Sequence, residues 1–409
     1  MWKWTDPNNI KVIILDVDSL DKDYLNFSYD RVIPNVQLFF VKHIDTLNSF
    51  ENQDVTSYFD VTFLLQEILA KSKCDSTSII AVSDNPLFLK EMMQNHIGTI
   101  LTSDLKRDFL KYTPDFTNCT IETLPMILQQ CKIGYGAEVY ATYGEARSSM
   151  SLLKCQSNMM LKDGTIRKVD FYFGGRYYSD RHQYLFNDPL SYVVLGFKHQ
   201  YMQAVDLFFD SAIRFIRKYE AVDYMTYIPL KPQDILENKF DRFANLQLER
   251  NMKDGFKLQS ILKCNKDFSQ KGNDLFMRKE TVKDVFSILT DVHGKNIIII
   301  DDVYSTGSTI SEAIKTLYEN GAAKVTAILL AVNQMTESFL DYHNLTCPHC
   351  GSPMVLRMNS KNGKLFFGCK GYNQHPHQTY TLDIEKGLHL LKDANKLMVS
   401  EVIDLDDEY

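Results

Sequence analysis

One stretch constrains this chain more than any other, Ile297 to Thr309, IIIIDDVYSTGST. Four consecutive isoleucines read as a strand buried on both faces, as in a parallel sheet covered by helices. Asp301 and Asp302 follow at once. The strand is expected to stop there, with both carboxylates at its C-terminal end, where open α/β sheets place ligands. Next comes a loop with Gly307 and four hydroxyl side chains, Ser305, Thr306, Ser308 and Thr309, and then a helix pattern, SEAIKTLYENGA. Backbone N–H groups and a helix N-terminus at a strand end suit a phosphate. Gly307 lets the backbone come close without a Cβ in the way. Two ionised carboxylates only accept hydrogen bonds, so they match a vicinal diol. A diol site and a phosphomonoester site one sugar-width apart fit a ribose 5-phosphate. The plainer alternative is a buried strand, a helix cap and a turn capped by the aspartates. It does not require acidic pair, glycine and hydroxyls in this order.

That order resembles the phosphoribosyl-pyrophosphate (PRPP) motif of type I phosphoribosyltransferases over its full length. The resemblance implies that Asp301 and Asp302 bind the ribose 2- and 3-hydroxyls, and that one of them stabilises charge growing at C1. It also implies that Ser305, Thr306, Gly307, Ser308 and Thr309 cradle the 5-phosphate. Upstream, DYMTYIPLKP (Asp223 to Pro232) reads as a strand ending in a turn set by Pro229 and Pro232. PLKP resembles the P-L-H-P of the competence-associated ComF-like branch, and the nearby KFDR resembles its R-G-F-N-Q. Lys239 stands where that branch has glycine, and Asp241 and Arg242 replace Asn and Gln. By this likeness the loop at Leu230 and Lys231 holds pyrophosphate, with Mg2+ bridging its oxygens and mostly water-ligated. CNKDFSQKGND, 264–274, resembles the mobile loop that closes over PRPP. Arg278 and Lys279 stand where basic residues would hold the leaving pyrophosphate; otherwise they are a solvated helix start. Lys198 occupies the place of a lysine at a helix entry that precedes the catalytic sheet, or is a surface lysine.

At the other end of the chain, KVIILDVDSL (Lys11 to Leu20) and SIIAVSDNP (Ser78 to Pro86) read as buried strands with acidic ends. A helix pattern, LFLKEMMQNHIG, a strand, TILTS, and an edge at Pro114 to Phe116 follow. This series resembles the haloacid dehalogenase-like (HAD) phosphohydrolase fold over about residues 8–130. The likeness makes Asp16 the nucleophile, Asp18 the general acid/base, and Asp16, Asp18 and Asp84 ligands for Mg2+. Lys71 and Lys73 are the candidates for its phosphate-binding lysine. A degenerate or purely structural domain is the other reading, because the further acidic position falls among Leu87, Phe88 and Leu89.

The tail carries Cys347-Pro348-His349-Cys350-Gly351, then Cys369, then His375. Cys-x2-Cys with Cys-x5-His fits one tetrahedral Zn2+, with His377 a rival to His375. The segment resembles the C-terminal zinc ribbon of type I DNA topoisomerases. Phe366, Phe367, Tyr372 and Tyr380, with Arg357, Lys361, Lys364 and Lys370, suit single-stranded nucleic acid. A zinc-stapled module that docks on its own chain is the alternative.

With 409 residues and 44% hydrophobic content, the chain is expected to form several globular domains. The fold class expected is α/β multidomain. A HAD-like Rossmannoid domain spans 1–134. A phosphoribosyltransferase parallel sheet with helices on both faces spans 135–340, and a small zinc ribbon with its tail spans 341–409. Within the second, the aromatic KVDFYFGGRYY reads as a separate small β region, and the chain from Asn187 to Tyr219 reads as helical. A net charge of −7 argues against coating nucleic acid non-specifically. The first residues, MWKWTDPNN, do not read as a secretory signal, and no apolar run reaches membrane-spanning length. Eight cysteines with only the last three grouped favour reduced thiols, hence the cytoplasm. The leading expectation is a phosphoribosyltransferase that uses PRPP, Mg2+ and an unidentified acceptor in nucleotide metabolism, a fold that admits a homodimer. The rivals are a nucleotide-sensing or nucleic-acid-handling protein without turnover, and a HAD-like phosphatase regulated by the other domains.

Overall fold

The computed structural model describes residues 1–46, 55–130, 133–144, 150–179, 183–198, 204–234, 238–241, 258–267, 281–335, 345–359, 362, 364–374 and 380–391. Three sheets organise them. The first is parallel and five-stranded. Its strands are β1 (Val12–Asp16), β2 (Gln37–His43), β3 (Val55–Tyr58), β4 (Ile79–Ser83) and β5 (Gly98–Leu101), in the order β3-β2-β1-β4-β5. Strand direction of building reverses at β1, so the crevice between the ends of β1 and β4 is a topological switch point. β1 is buried on both faces because its residues alternate between two cores. Val12 and Ile14 pack with Leu64, Leu65 and Ile68 of α2 (Val61–Ser72) and with Leu89 and Met92 of α3 (Pro86–Gln94). Ile13 and Leu15 face Leu124, Ile127 and Leu128 of α4 (Leu124–Gln129), and Leu25 of α1 (Lys22–Leu25). Helix α2 begins where Asp60 accepts from the amides of Thr62 and Phe63, an N-cap. Phe116 pairs with Ile100 as an isolated parallel bridge, the expected extra edge.

A two-residue pair, β6 (Gly134–Tyr135) with β7 (Met150–Ser151), leads to the second sheet. Its strands are β8 (Leu153–Met160), β9 (Ile166–Phe173), β10 (Arg176–Tyr177), β11 (Tyr224–Tyr227), β14 (Asn296–Tyr304) and β15 (Lys324–Asn333). The order is β11-β14-β15-β9-β8, with β10 also on β15. KVDFYFGGRYY is therefore not a separate β region. β9 and β10 run parallel to β15 along one edge of the central sheet, and only β8 turns back antiparallel. Gly174 and Gly175 join them because helix α5 (Gly136–Tyr143) crosses so closely. A Cβ at Gly174 would stand 2.5 Å from that of Ala137, and one at Gly175 2.5 Å from Cγ of Glu138.

The isoleucine run behaves as its composition demands. Ile297 and Ile299 join the core shared with α8 (Ser308–Glu319), through Ala313, Ile314 and Leu317. Ile298 and Ile300 join the opposite core under α7 (Val205–Tyr219), through Phe208, Phe209 and Ile213. Burying each isoleucine fully is worth about 2 kcal/mol. The strand does not stop at the aspartates, however. It continues through Val303 and Tyr304, opposite Ala331 and Val332 of β15, because a β-branched and an aromatic residue extend the ladder. The helical stretch from Asn187 is two helices, α6 (Pro189–Lys198) and α7, and Ala204 ahead of α7 has a φ of 69°. A hairpin of β12 (Leu262–Cys264) and β13 (Phe286–Ile288) lies between β11 and β14 in sequence. The third sheet is antiparallel, β16 (Met354–Met358), β17 (Leu365–Cys369) and β18 (Thr381–Asp383), and Phe367 on it packs against Phe186 at 5.8 Å. Among the described residues no helix is long and apolar enough to cross a membrane.

A buried ion network crosses from the first sheet to the second. Arg176 is 2% exposed and donates to Glu138 through Nε at 2.8 Å and Nη2 at 3.1 Å, and to Asp115 through Nη1 at 2.7 Å. Lys3 pairs with Asp188 and lies 3.6 Å from Glu138. Burial pushes the Glu138 carboxyl up, but Arg176, Lys3 and the Met1 amino group outweigh it and hold it well below the usual range.

Candidate functional site

The end of β14, the turn after it and the first residues of α8 bring Asp301, Asp302 and Ser305 to Thr309 together. Gly307 sits at a φ of 71°, in the left-handed region that favours glycine. A Cβ there would also strike the Tyr304 hydroxyl at 2.4 Å, so the tyrosine ring packs directly against this turn. Among the described residues, the backbone N–H groups of Ser305, Thr306 and Gly307 have no hydrogen-bond partner. Ser308 N donates weakly to Thr306 Oγ1 at 3.4 Å, and the Thr306 and Ser308 hydroxyls meet at 3.0 Å. The turn thus offers open donors at the positive end of a helix. A cleft of about 550 Å³ opens here, lined by Thr306, Gly307 and Ser308 but not by Asp301 or Asp302.

The two carboxylates are held close. Asp301 Oδ1 accepts from the Asp302 amide at 2.8 Å, and Asp302 Oδ1 from the Val303 amide at 2.9 Å. Burial, then the Asp302 charge, pushes Asp301 up to about 8, against the pull of Lys239. The pair therefore shares a proton near neutrality, as two like charges in one place must. Lys239 is the residue that sequence reasoning noticed only as a departure from glycine. Its ammonium forms an ion pair with Asp302 Oδ2 and lies over the rings of Phe197 and Phe240, each at 5.4 Å. The acid pair thus has a resident counter-cation.

The proline turn after β11 lies beside this site, since β11 pairs with β14. Its two named residues differ. The Leu230 N–H has no partner among the described residues, whereas Lys231 N–H donates to Asp234 Oδ2 at 3.0 Å. The expected backbone donor at Lys231 is already engaged. Arg278, Lys279 and most of the 264–274 loop lie outside the described residues, and Lys198 is the last residue of α6, not the start of a helix.

At the switch point of the first sheet, Asp16 is 1% exposed. Its Oδ2 accepts from the hydroxyls of Ser19 at 2.7 Å and Ser83 at 2.6 Å, and its Oδ1 from the Asp18 amide at 3.2 Å. Burial raises its pKa. Asp18 Oδ2 accepts from the His43 amide at 2.7 Å, while its Oδ1 is buried without a partner. Asp84 is exposed and accepts from Thr102 Oγ1 at 3.1 Å. Asp16 is thus wrapped in donors, and among the described residues the three acids do not form a group close enough to hold one metal ion.

Cys347, Cys350 and Cys369 form one cluster with their sulfurs within 4.8 Å of one another, and Cys350 and Cys369 only 3.4 Å apart. Gly371 N–H donates to Cys369 Sγ at 3.2 Å, the bond that orients a metal-bound thiolate. Hydrogen bonds from the Ser352 side chain and backbone lower the Cys350 thiol to about 6. Three thiols this close, one of them readily ionised, fit a thiophilic ion such as Zn2+. His375 and His377 lie outside the described residues. Cys350→Ser is expected to lose bound zinc, measured by atomic emission on purified protein; an unchanged metal content would contradict the site.

A family profile described as "Phosphoribosyl transferase domain" matches residues 257–356. That span runs from β12 through the acid pair, the turn and β15 into β16. Among curated proteins, the DNA utilization protein YhgH of Escherichia coli (strain K12) is 43% identical over 49 residues, 12% of this chain and 22% of that protein. The YhgH proteins of Shigella flexneri and Salmonella typhi match to the same extent. The chain thus spans about a fifth of the length of the curated relatives it matches. Residues 257–356 carry a phosphoribosyl transferase domain.

Proposed function

We propose that the chain binds PRPP and transfers its phosphoribosyl group with release of pyrophosphate. One observation supports this above the others: an acid pair and a turn with three open amides follow one another on a single buried strand. In this reading Asp301 and Asp302 take the ribose hydroxyls, and the turn from Ser305 to Thr309 takes the 5-phosphate. The Leu230 amide lies on the pyrophosphate side in this reading, with Lys239, paired to Asp302, as a fixed cation and Arg278 and Lys279 as further donors. Mg2+, when bound, would neutralise pyrophosphate oxygens. What the protein contributes is positioning and a fixed charge field, which suits a step whose leaving group departs with little acid–base help. Asp16 ties β1 to β4 in this reading, because its Oδ2 accepts from both Ser19 and Ser83.

A second reading, ligand binding without turnover in a DNA-related role, is favoured by the Lys239–Asp302 ion pair and by the relatives' description as DNA utilization proteins. The Cys-rich module would then contact single-stranded nucleic acid through Arg357 and the exposed Tyr372, which lie 5.4 Å apart. Pyrophosphate release from PRPP and Mg2+ with a panel of nucleobases separates the two. Release that depends on Asp302 supports transfer, and tight PRPP binding with no release supports the second reading.

A further inference from the structure

Arg107 belongs to a short 3-10 turn, Arg107–Tyr112, that follows the first sheet, yet its guanidinium reaches the second. Nε donates to the Tyr304 hydroxyl at 3.0 Å, Nη1 to Ser157 Oγ at 2.7 Å and Nη2 to Ser311 Oγ at 3.4 Å. All three acceptors are neutral. Among the described residues Arg107 has no ion pair. A guanidinium has five N–H donors, so one on each Nη remains open. Tyr304 is the ring that packs against Gly307, which puts this cation one side chain from the open amides of the turn. Arg107, Thr306, Gly307 and Ser308 line the same cleft of about 550 Å³. Lys283 and Lys315 also line it, and neither has an ion pair among the described residues. Of the cleft's carboxylates, Glu319 is paired with Lys162, and Glu312 accepts from the Asp284 amide. Positive charge is left over among the lining residues, and the acids that act on the same surroundings, Asp104 and Asp108, are both exposed.

We propose that Arg107 is a phosphate ligand. Its two open N–H groups and the amides of the turn would share the oxygens of one phosphomonoester, so the unit built on the first sheet completes the phosphate site of the second. The inference rests on the reading above for the sugar end of the ligand, though the anion site itself does not need it. The test is calorimetric titration of the full chain with inorganic phosphate and with ribose 5-phosphate. Arg107→Gln should weaken both by roughly 10-fold or more, as expected for loss of charge-assisted bonds. Arg107→Lys should fall between. Ser157→Ala, which removes a hydrogen bond holding Arg107 but not the cation, should change affinity less than about threefold. Equal binding by Arg107→Gln and the unaltered chain would overturn the proposal, even if pyrophosphate release from PRPP persisted. No binding of either ligand to the unaltered chain would overturn it too. Arg107-dependent binding of inorganic phosphate without ribose 5-phosphate would uphold the anion site and sink the sugar reading.

Discussion

Glu138→Gln should lower the unfolding temperature by about 5 °C, a large stability effect for a single change. Glu138 is 1% exposed and meets Arg176 through both its oxygens, with Lys3 nearby. Removing its charge leaves two buried cations short of a partner, which typically costs about 3–5 kcal/mol. Removing both partners is less costly than removing one. A double variant, Glu138→Gln with Arg176→Met, should lose less than the sum of the two single losses, because the partners are coupled. The pH dependence follows in sign. Glu138 has a folded-state pKa well below its ordinary value, so its contribution is present above the ordinary carboxylate range and is lost as pH falls through that range and below it. Differential scanning calorimetry of the unaltered chain, the two single variants and the double variant across pH checks this. A shift under about 2 °C for Glu138→Gln would contradict it.

The second large effect concerns the acid pair. Asp302→Asn should weaken PRPP binding roughly 30-fold, about 2 kcal/mol, the usual size of a hydrogen bond to a charged group. Asp301→Asn acts differently. Asp301 is held up to about 8 by burial and by Asp302, so near neutrality the pair carries a proton that a diol ligand must displace. PRPP affinity should therefore rise with pH toward 8 in the unaltered protein, and the slope should flatten in Asp301→Asn. Stability runs the other way. A carboxyl with a raised folded pKa binds its proton more tightly folded than unfolded. It therefore loses that stabilisation as pH climbs from the ordinary carboxylate range to about 8. PRPP titrations between pH 6 and 8.5 measure the first trend and thermal unfolding from the ordinary carboxylate range to pH 8 the second; a pH-independent affinity would contradict the shared proton.

How much of this was legible in the sequence depends on range. The strand from Asn296, the turn at Gly307 and helix α8 were readable because each is set by its own residues: four isoleucines, one left-handed glycine and an amphipathic repeat. The three grouped cysteines were readable for the same reason. The placing of KVDFYFGGRYY was not, because an edge strand and a free hairpin have the same alternation; only its parallel pairing with β15 distinguishes them. Val303 and Tyr304 extended the strand past two aspartates, which are poor strand residues taken alone. Lys239 was visible as a departure from the ComF-like pattern, yet nothing local says that its ammonium reaches Asp302. Arg107 and Arg176 act across 197 and 38 positions of sequence, at Tyr304 and Glu138. The signal for Arg176 was there, an arginine inside an aromatic strand. Buried charge in such a place requires a partner.

The central claim is that the turn after the acid pair grips a phosphoryl group through its own open amides. Backbone amide resonances of Ser305, Thr306 and Gly307, followed by NMR while ribose 5-phosphate is added, test it most directly. The account predicts saturable downfield shifts at these three positions, with inorganic phosphate giving a weaker version of the same pattern. Amides that stay unmoved while ligand binds elsewhere, or that are protected from exchange before any ligand is added, would contradict it.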